Sequence, residues 1–333
     1  MIKIKILQAG FGDCIVINDN DKITIVDGGS FRSYRKNCRK ELESIKIVEN
    51  IVLTHVDADH INGLIEYFKN LISNGIHVKN VFANCCKSIH VASNDGNISY
   101  NKANNFEKLL LELKGKGYDN WYNDVTALNS YGDIKILSPT IDALNAYIEA
   151  WKNDKHNKQI NIGCVRVVQD RSLNELYELN SVPCDKLEDD IVNNSSIAMI
   201  LKTSDKNILL LGDARAETVE NSLRLLGYNE VNPLHIDIMK VSHHGSINNT
   251  SKGLMSVISC DKFIFSTKGN SRHPAREAMS RIIFSQEHNA KNPLHFYFNY
   301  PAKEMIRMGN NILTDGECRQ YNVEQIFEKI IEI

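Results

Sequence analysis

Thr54-His55-Val56-Asp57-Ala58-Asp59-His60 follows a buried-looking strand, Asn50 to Thr54, and precedes Gly63. His55, Asp57, Asp59 and His60 lie within six residues. Two imidazoles and two carboxylates this close would be costly to bury unpaired. A divalent cation removes the cost by pairing the carboxylates and accepting the lone pairs of neutral imidazole. A capped helix start, with Asp57 or Asp59 as N-cap, is the plainer alternative. It accounts for one aspartate but for neither histidine.

Two further clusters stand at strand ends. Leu209-Leu210-Leu211-Gly212-Asp213 closes an apolar strand with a carboxylate. Val241-Ser242-His243-His244-Gly245-Ser246 closes another with two imidazoles. Neighbouring residues of a strand point to opposite sides, so one of the two histidines is expected to be a direct ligand.

Around these clusters, short strands and helices alternate. Strands are expected at Ile2–Leu7, Cys14–Ile17, Ile23–Val26, Val78–Ala83, Ile134–Leu137, Ser196–Leu201, Asn207–Leu211, Ile236–Val241 and Lys262–Ser266. Helices are expected at Arg39–Val48, Gly63–Ile72, Phe106–Lys114, Ala143–Trp151, Glu217–Leu226 and Ala275–Phe284, with Pro274 at the start of the last. Asp154 to Asn193 is polar and weakly patterned, as a loop or insertion would be. The pattern is that of a layered α/β (α+β) protein with its site at strand ends.

The 333 residues can bury a large core, and their 42% hydrophobic and 24% charged content is ordinary for a globular protein. A net charge of -2 excludes a surface that is basic throughout, though not a local basic groove. The eight cysteines form no C-x-x-C pair. The start of the chain has no apolar signal-peptide core, and no apolar run is long enough to span a membrane, so a cytoplasmic location is expected.

The ordered set of motifs resembles the metallo-β-lactamase fold family, whose H-x-H-x-D-H signature appears here with Asp57 in place of the second histidine. It resembles most the branch containing the hydrolase domain of the DNA-uptake protein ComEC and its stand-alone relatives. That resemblance is carried by Gly10-Phe11-Gly12-Asp13, Val26-Asp27-Gly28-Gly29, Leu137-Ser138-Pro139, Asn193-Asn194-Ser195-Ser196, Leu211-Gly212-Asp213 and Ser242-His243-His244-Gly245-Ser246. Gly269-Asn270-Ser271-Arg272-His273-Pro274 completes it. It implies an αββα sandwich in one domain over residues 1–333, with an insertion at about 84–193. It also implies two divalent metal ions. His55 and Asp57 would serve the first, and Asp59, His60 and His243 the second, with Asp213 bridging. His244 would then touch substrate or support a ligand. Asn193 and Asn194 stand where the family's usual middle histidine is missing, and Asp27 belongs to the supporting set. An oxygen-rich first site favours manganese more than an all-histidine site would, and the choice between zinc and manganese is open.

Two such cations would give hydroxide near neutral pH and clamp the oxygens of a phosphoryl or acyl centre. Asp59 is expected to orient that hydroxide, His273 to protonate the leaving group or contact phosphate, and Arg272 to offer a fork to phosphate. The resemblance points to a phosphodiesterase or nuclease acting on single-stranded nucleic acid or a nucleotide diester. The lysines of Lys102 to Lys116, with Trp121 and Tyr122 behind them, suit a nucleic-acid strand, but suit a solvated amphipathic helix better. A hydrolase of other esters, thioesters or lactones is the first alternative. A regulatory subunit that keeps a structural metal and meets a protein partner through residues 84–193 is the second.

Overall fold

Alternation along the first strand sets the layering. In β1 (Ile2–Ile6), Ile2, Ile4 and Ile6 are buried while Lys3 and Lys5 are partly exposed. Each isoleucine taken out of water stabilises the fold by roughly 1.5–3 kcal/mol. The same period of two recurs where both faces are buried: Ile25, Ile51, Leu209 and Phe263 point one way, and Val26, Val52, Leu210 and Ile264 the other.

The computed structural model describes residues 1–85, 98–152, 171–178, 190–269, 273–307 and 312–333. The first sheet joins β1, β2 (Ile15–Asp19), β3 (Lys22–Val26), β4 (Ile47–Val52), β5 (His77–Phe82) and β6 (Tyr118–Tyr122) in that order, with the last strand, β17 (Ile330–Glu332), beside β1. The second sheet runs β7 (Ser130–Tyr131), β8 (Ile134–Ser138), β9 (Ala198–Lys202), β10 (Asn207–Leu210), β12 (Ile238–Lys240), β14 (Lys262–Phe265), β15 (Leu294–Phe298) and β16 (Val323–Ile326). A two-stranded piece pairs β11 (Leu234–His235) with β13 (Ile258–Ser259). Each large sheet begins with antiparallel strands and continues with parallel ones, from β3 to β6 and from β10 to β16.

Three apolar clusters make four layers. One lies between the sheets and mixes Ile4, Val26 and Phe82 with Ile136, Leu210 and Ile264. A second packs the helices Ala58–Lys69, Ile98–Leu113 and Ile141–Lys152 on the outer face of the first sheet. The third packs Ala216–Leu225, Lys252–Ser256 and Arg276–Ser285 on the outer face of the second. This is the αββα order expected. Strands β6, β7 and β8 and two of these outer helices lie within residues 84–193. Residues 86–97, 153–170 and 179–189 of that segment lie outside the described residues.

Several boundaries differ from the sequence reading. Helix Arg39–Ser44 stops early, and Ile47 and Val48 belong to β4. Helix Ala58–Lys69 begins five residues before Gly63. Its apolar periodicity starts only at Ile61, because its first turn carries the polar residues of the site. Pro274 precedes the N-cap Ala275 rather than opening the helix. Among the described residues, no helix is long and apolar enough to cross a membrane.

Candidate metal centre

Every cluster singled out above lies just past the C-terminal end of a parallel strand. Asp27 follows β3, the His55–His60 stretch follows β4, Asp213 follows β10, and His243 and His244 follow β12. The sheets bring these ends together at one edge of the sandwich.

The first loop is set by backbone contact. Gly28 N–H donates to the carbonyl of His60, and Gly63 N–H to that of Gly29, both at 2.9 Å. A Cβ on Gly63 would stand 1.8 Å from the carbonyl oxygen of Gly28. The two glycines therefore let the β3 turn lie flat on the first turns of helix Ala58–Lys69. Asp57 occupies that helix's N-cap position, yet its side chain makes no capping bond. Its carboxylate stands 3.7 Å from His55 Nε2 instead.

Asp27, fully buried, organises the histidines. It accepts from Thr54 N–H at 2.8 Å, from Thr54 Oγ1–H at 2.7 Å and from His60 Nδ1–H at 2.8 Å. Since the Thr54 hydroxyl hydrogen goes to Asp27, its oxygen accepts from His55 Nδ1–H at 3.0 Å. His244 Nδ1–H donates to the Ser266 carbonyl at 2.8 Å. All three rings thus spend their protonated nitrogen on a supporting group, which leaves a bare Nε2 lone pair on each.

Those lone pairs face a carboxylate. Asp213 Oδ2 lies 3.5 Å from His244 Nε2, 3.6 Å from His60 Nε2, and 3.8 Å from the Nε2 atoms of His55 and His243. Such separations exceed an N–H···O bond of about 2.9 Å. They approach the roughly 3.4 Å between two donors that each sit about 2.1 Å from one tetrahedral zinc. His55 Nε2 and His60 Nε2 are buried without a hydrogen-bond partner. Lone pairs directed at an anion repel it unless a positive charge lies between them. The donor set therefore fits a divalent cation, and an Asp59–His60–His244 group, with donor atoms within 4.8 Å of one another, fits one as well.

The electrostatics agree. Burial pushes the Asp213 carboxyl up, but the imidazoles of His244, His243, His60 and His55 outweigh burial and hold it well below the usual carboxylate range. Burial works against a charged His60 ring, yet Asp213 and Asp27 raise its pKa well above the ordinary histidine value.

His243 and His244 do not alternate as strand residues. Strand β12 ends at Lys240, and both histidines have left-handed backbones, with φ of 47° and 57°. Such torsions cost energy in non-glycine residues and persist where the surroundings enforce them. Here His243 N–H donates to the Gly212 carbonyl, and Asn249 Nδ2 to the carbonyls of Asp213 and Ala214. The turn aims both Nε2 atoms at Asp213 Oδ2, so period-two reasoning has no hold on it.

His273 lies beside His243, with ring centroids 5.3 Å apart. Arg272 lies outside the described residues. Asn193 and Asn194 end the short helix Ile191–Asn194, where Asn193 Nδ2 donates to Asp190 at 2.8 Å. Two residues on, Ser196 Oγ accepts from Asp213 N–H at 3.0 Å and stands 3.5 Å from His55 Nδ1. Trp121 donates to the Ala83 carbonyl and Tyr122 stacks on Phe82, so both rings serve packing.

Sequence reasoning gave no site role to Asp13 or Lys240. Both are 1% exposed and form an ion pair beneath His244 and Asp213. A turn aspartate after glycine and a lysine ending an apolar strand carry no local sign of their pairing. The one available signal was a lysine at a position whose strand neighbours, Met239 and Val241, are both apolar.

Residues 7–90 match the family model described as the metallo-beta-lactamase superfamily, a stretch that includes Asp13, Asp27 and the whole His55–His60 loop. The layered α/β architecture is consistent with that fold. Among solved structures, the chain is similar to a diphosphatase from the PhnP family, with 12% identity, 100% of this chain and 98% of that one covered, and a TM-score of 0.43. It is similar to the metallo-beta-lactamase fold protein YhfI from Bacillus subtilis, with 11% identity, both chains covered in full and a TM-score of 0.41. A third is an isothiocyanate hydrolase from Delia radicum gut bacteria, with 12% identity, coverage of 99% and 98%, and a TM-score of 0.43. No curated protein matches the chain.

Proposed function

We propose that the chain is a metal-dependent hydrolase that cleaves phosphodiesters at a two-cation centre built on Asp213. The observation that carries this reading is the ring of four imidazole Nε2 atoms, 3.5–3.8 Å from Asp213 Oδ2. His55, Asp57 and His243 would hold one cation, and Asp59, His60 and His244 the other, with Asp213 shared. Charge supports bound cations. Asp13, Asp27 and Asp213 gather around Lys240, and Asp57 and Asp59 act on Lys102, so carboxylates outnumber lysines at the centre. Divalent cations would offset the excess.

Bound divalent cations lower the pKa of water and neutralise charge that develops on phosphoryl oxygens. The protein's own groups do the rest. Asp27, Thr54 and the Ser266 carbonyl fix the ring orientations of His60, His55 and His244. Asp59, only partly buried, would accept the proton of the attacking water. His273, also partly exposed, would return a proton to the leaving oxygen. Asp57 in place of a histidine adds an oxygen donor, which suits a harder cation and phosphate oxygens and favours phosphodiesters over thioesters or lactones. Nucleic acid or a nucleotide diester is the substrate class within this reading, and the ComEC-type resemblance of the motifs supports it.

The test is a panel of phosphodiesters, carboxylic esters, thioesters and lactones, offered to chelator-treated protein resupplied with zinc or manganese. Metal-restored turnover of diesters is expected. Turnover confined to the carboxylic esters, thioesters or lactones would overturn the substrate class, and no turnover of any member would overturn the enzyme reading.

A further inference from the structure

Lys240 ends β12 beneath the metal centre, and its ammonium is surrounded by acceptors. It pairs with Asp13, donates to the Gly212 carbonyl at 2.8 Å and stands 3.7 Å from Asp213 Oδ1. Asp13 comes from the β1–β2 connection of the first sheet, whereas Lys240, Gly212 and Asp213 come from the second. The lysine therefore joins the two sheets directly under the site.

Asp13 also has a second oxygen that this ion pair leaves open. Its Oδ1 is buried with no hydrogen-bond partner and lies 3.6 Å from His244 Nδ1. Among the described residues, two donor groups fit for a cation contain it: Asp13 with Asp213 and His244, and Asp13 with Asp27 and His60. Both are fully buried and share ligands with the centre described above. A metal ion drawn into either would share Asp213, His244 or His60 with that centre. An ammonium, with three donors and no lone pair, satisfies the same acceptors without coordinating as a metal does.

We propose that Lys240 is a built-in cation that fills a further metal position at Asp13, so that metal ions are confined to the Oδ2 side of Asp213. The same arrangement leaves Asp213 Oδ1 facing the ammonium and Oδ2 facing the four imidazoles. This inference rests on the cluster being a cation centre, and its test separates the two claims.

The experiment counts zinc per chain by elemental analysis after equilibration in a zinc-buffered solution. The wild type, Lys240→Met and the double variant Asp13→Asn/Lys240→Met are compared. Lys240→Met is expected to bind about one equivalent more than the wild type, because Asp13 is released as a ligand. The double variant is expected to return to the wild-type count, because the released ligand is gone. If Lys240→Met folds only with zinc present, its count in zinc decides the matter in the same way. A Lys240→Met count equal to or below the wild type would overturn the proposal. A wild-type count of zero would instead sink the preceding functional reading, while the difference between the variants would still report on Lys240.

Discussion

The first sheet supplies its share of the centre from one loop, His55 to His60, supported by Asp27 one strand away. The second supplies Asp213 and the His243–His244 pair from two separate strand ends, with His273 beside them in the segment after β14. The supports differ as well. In the first half, bare backbone meets bare backbone at Gly28 and Gly63. In the second, side chains tether the loops: Lys240 to Gly212, Ser242 to Ala214, Asn249 to Asp213 and Ala214, and Arg281 to Ile247 and Thr250. A close-packed backbone contact tolerates no added atom, whereas a set of tethers can lose one member and keep the rest.

That contrast orders the expected effects. Asp213→Ala removes the one carboxylate that both halves face. Turnover is expected to fall by about 10³-fold or more, and the metal content to fall with it, as elemental analysis would show. Gly63→Ala drives a Cβ into the Gly28 carbonyl and has nowhere to relax. A loss of about 3 kcal/mol of stability is expected in denaturant unfolding, and an unchanged midpoint would contradict the backbone contact. Asp27→Asn keeps the shape but weakens the bonds that orient His60 and Thr54, so metal affinity should fall by roughly 10–100-fold in competition with a chelator. Asn249→Ala cuts one tether among several, and about 1 kcal/mol of stability is expected to be lost. An Asn249→Ala effect as large as that of Gly63→Ala would erase the distinction between the halves.

The same contrast explains what could be read from the residues alone. Period-two alternation at Ile2–Ile6 is a local property, and it fell on β1. The His55–His60 stretch is also local, four potential ligands in six residues, so its chemistry showed in the spacing. Asp13 and Lys240 lie far apart in sequence and meet only because the two sheets stack. Asp13 carries no local pattern that separates it from a turn aspartate, and Lys240 shows only its apolar neighbours, Met239 and Val241. The His243–His244 turn is obscure for another reason. Strand alternation presumes extended backbone, and both residues are left-handed. Helix Ala58–Lys69 was placed late because its first turn is polar, the residues there being taken up by the site rather than by the core.

Counting divalent metal per chain in the wild-type protein tests the central claim most directly, with zinc and manganese offered separately after chelation and each count paired with a phosphodiesterase assay. Two equivalents, restored together with turnover, are expected. A chain that takes up no divalent metal under either condition would contradict the reading of Asp213 and its four imidazoles as a cation centre.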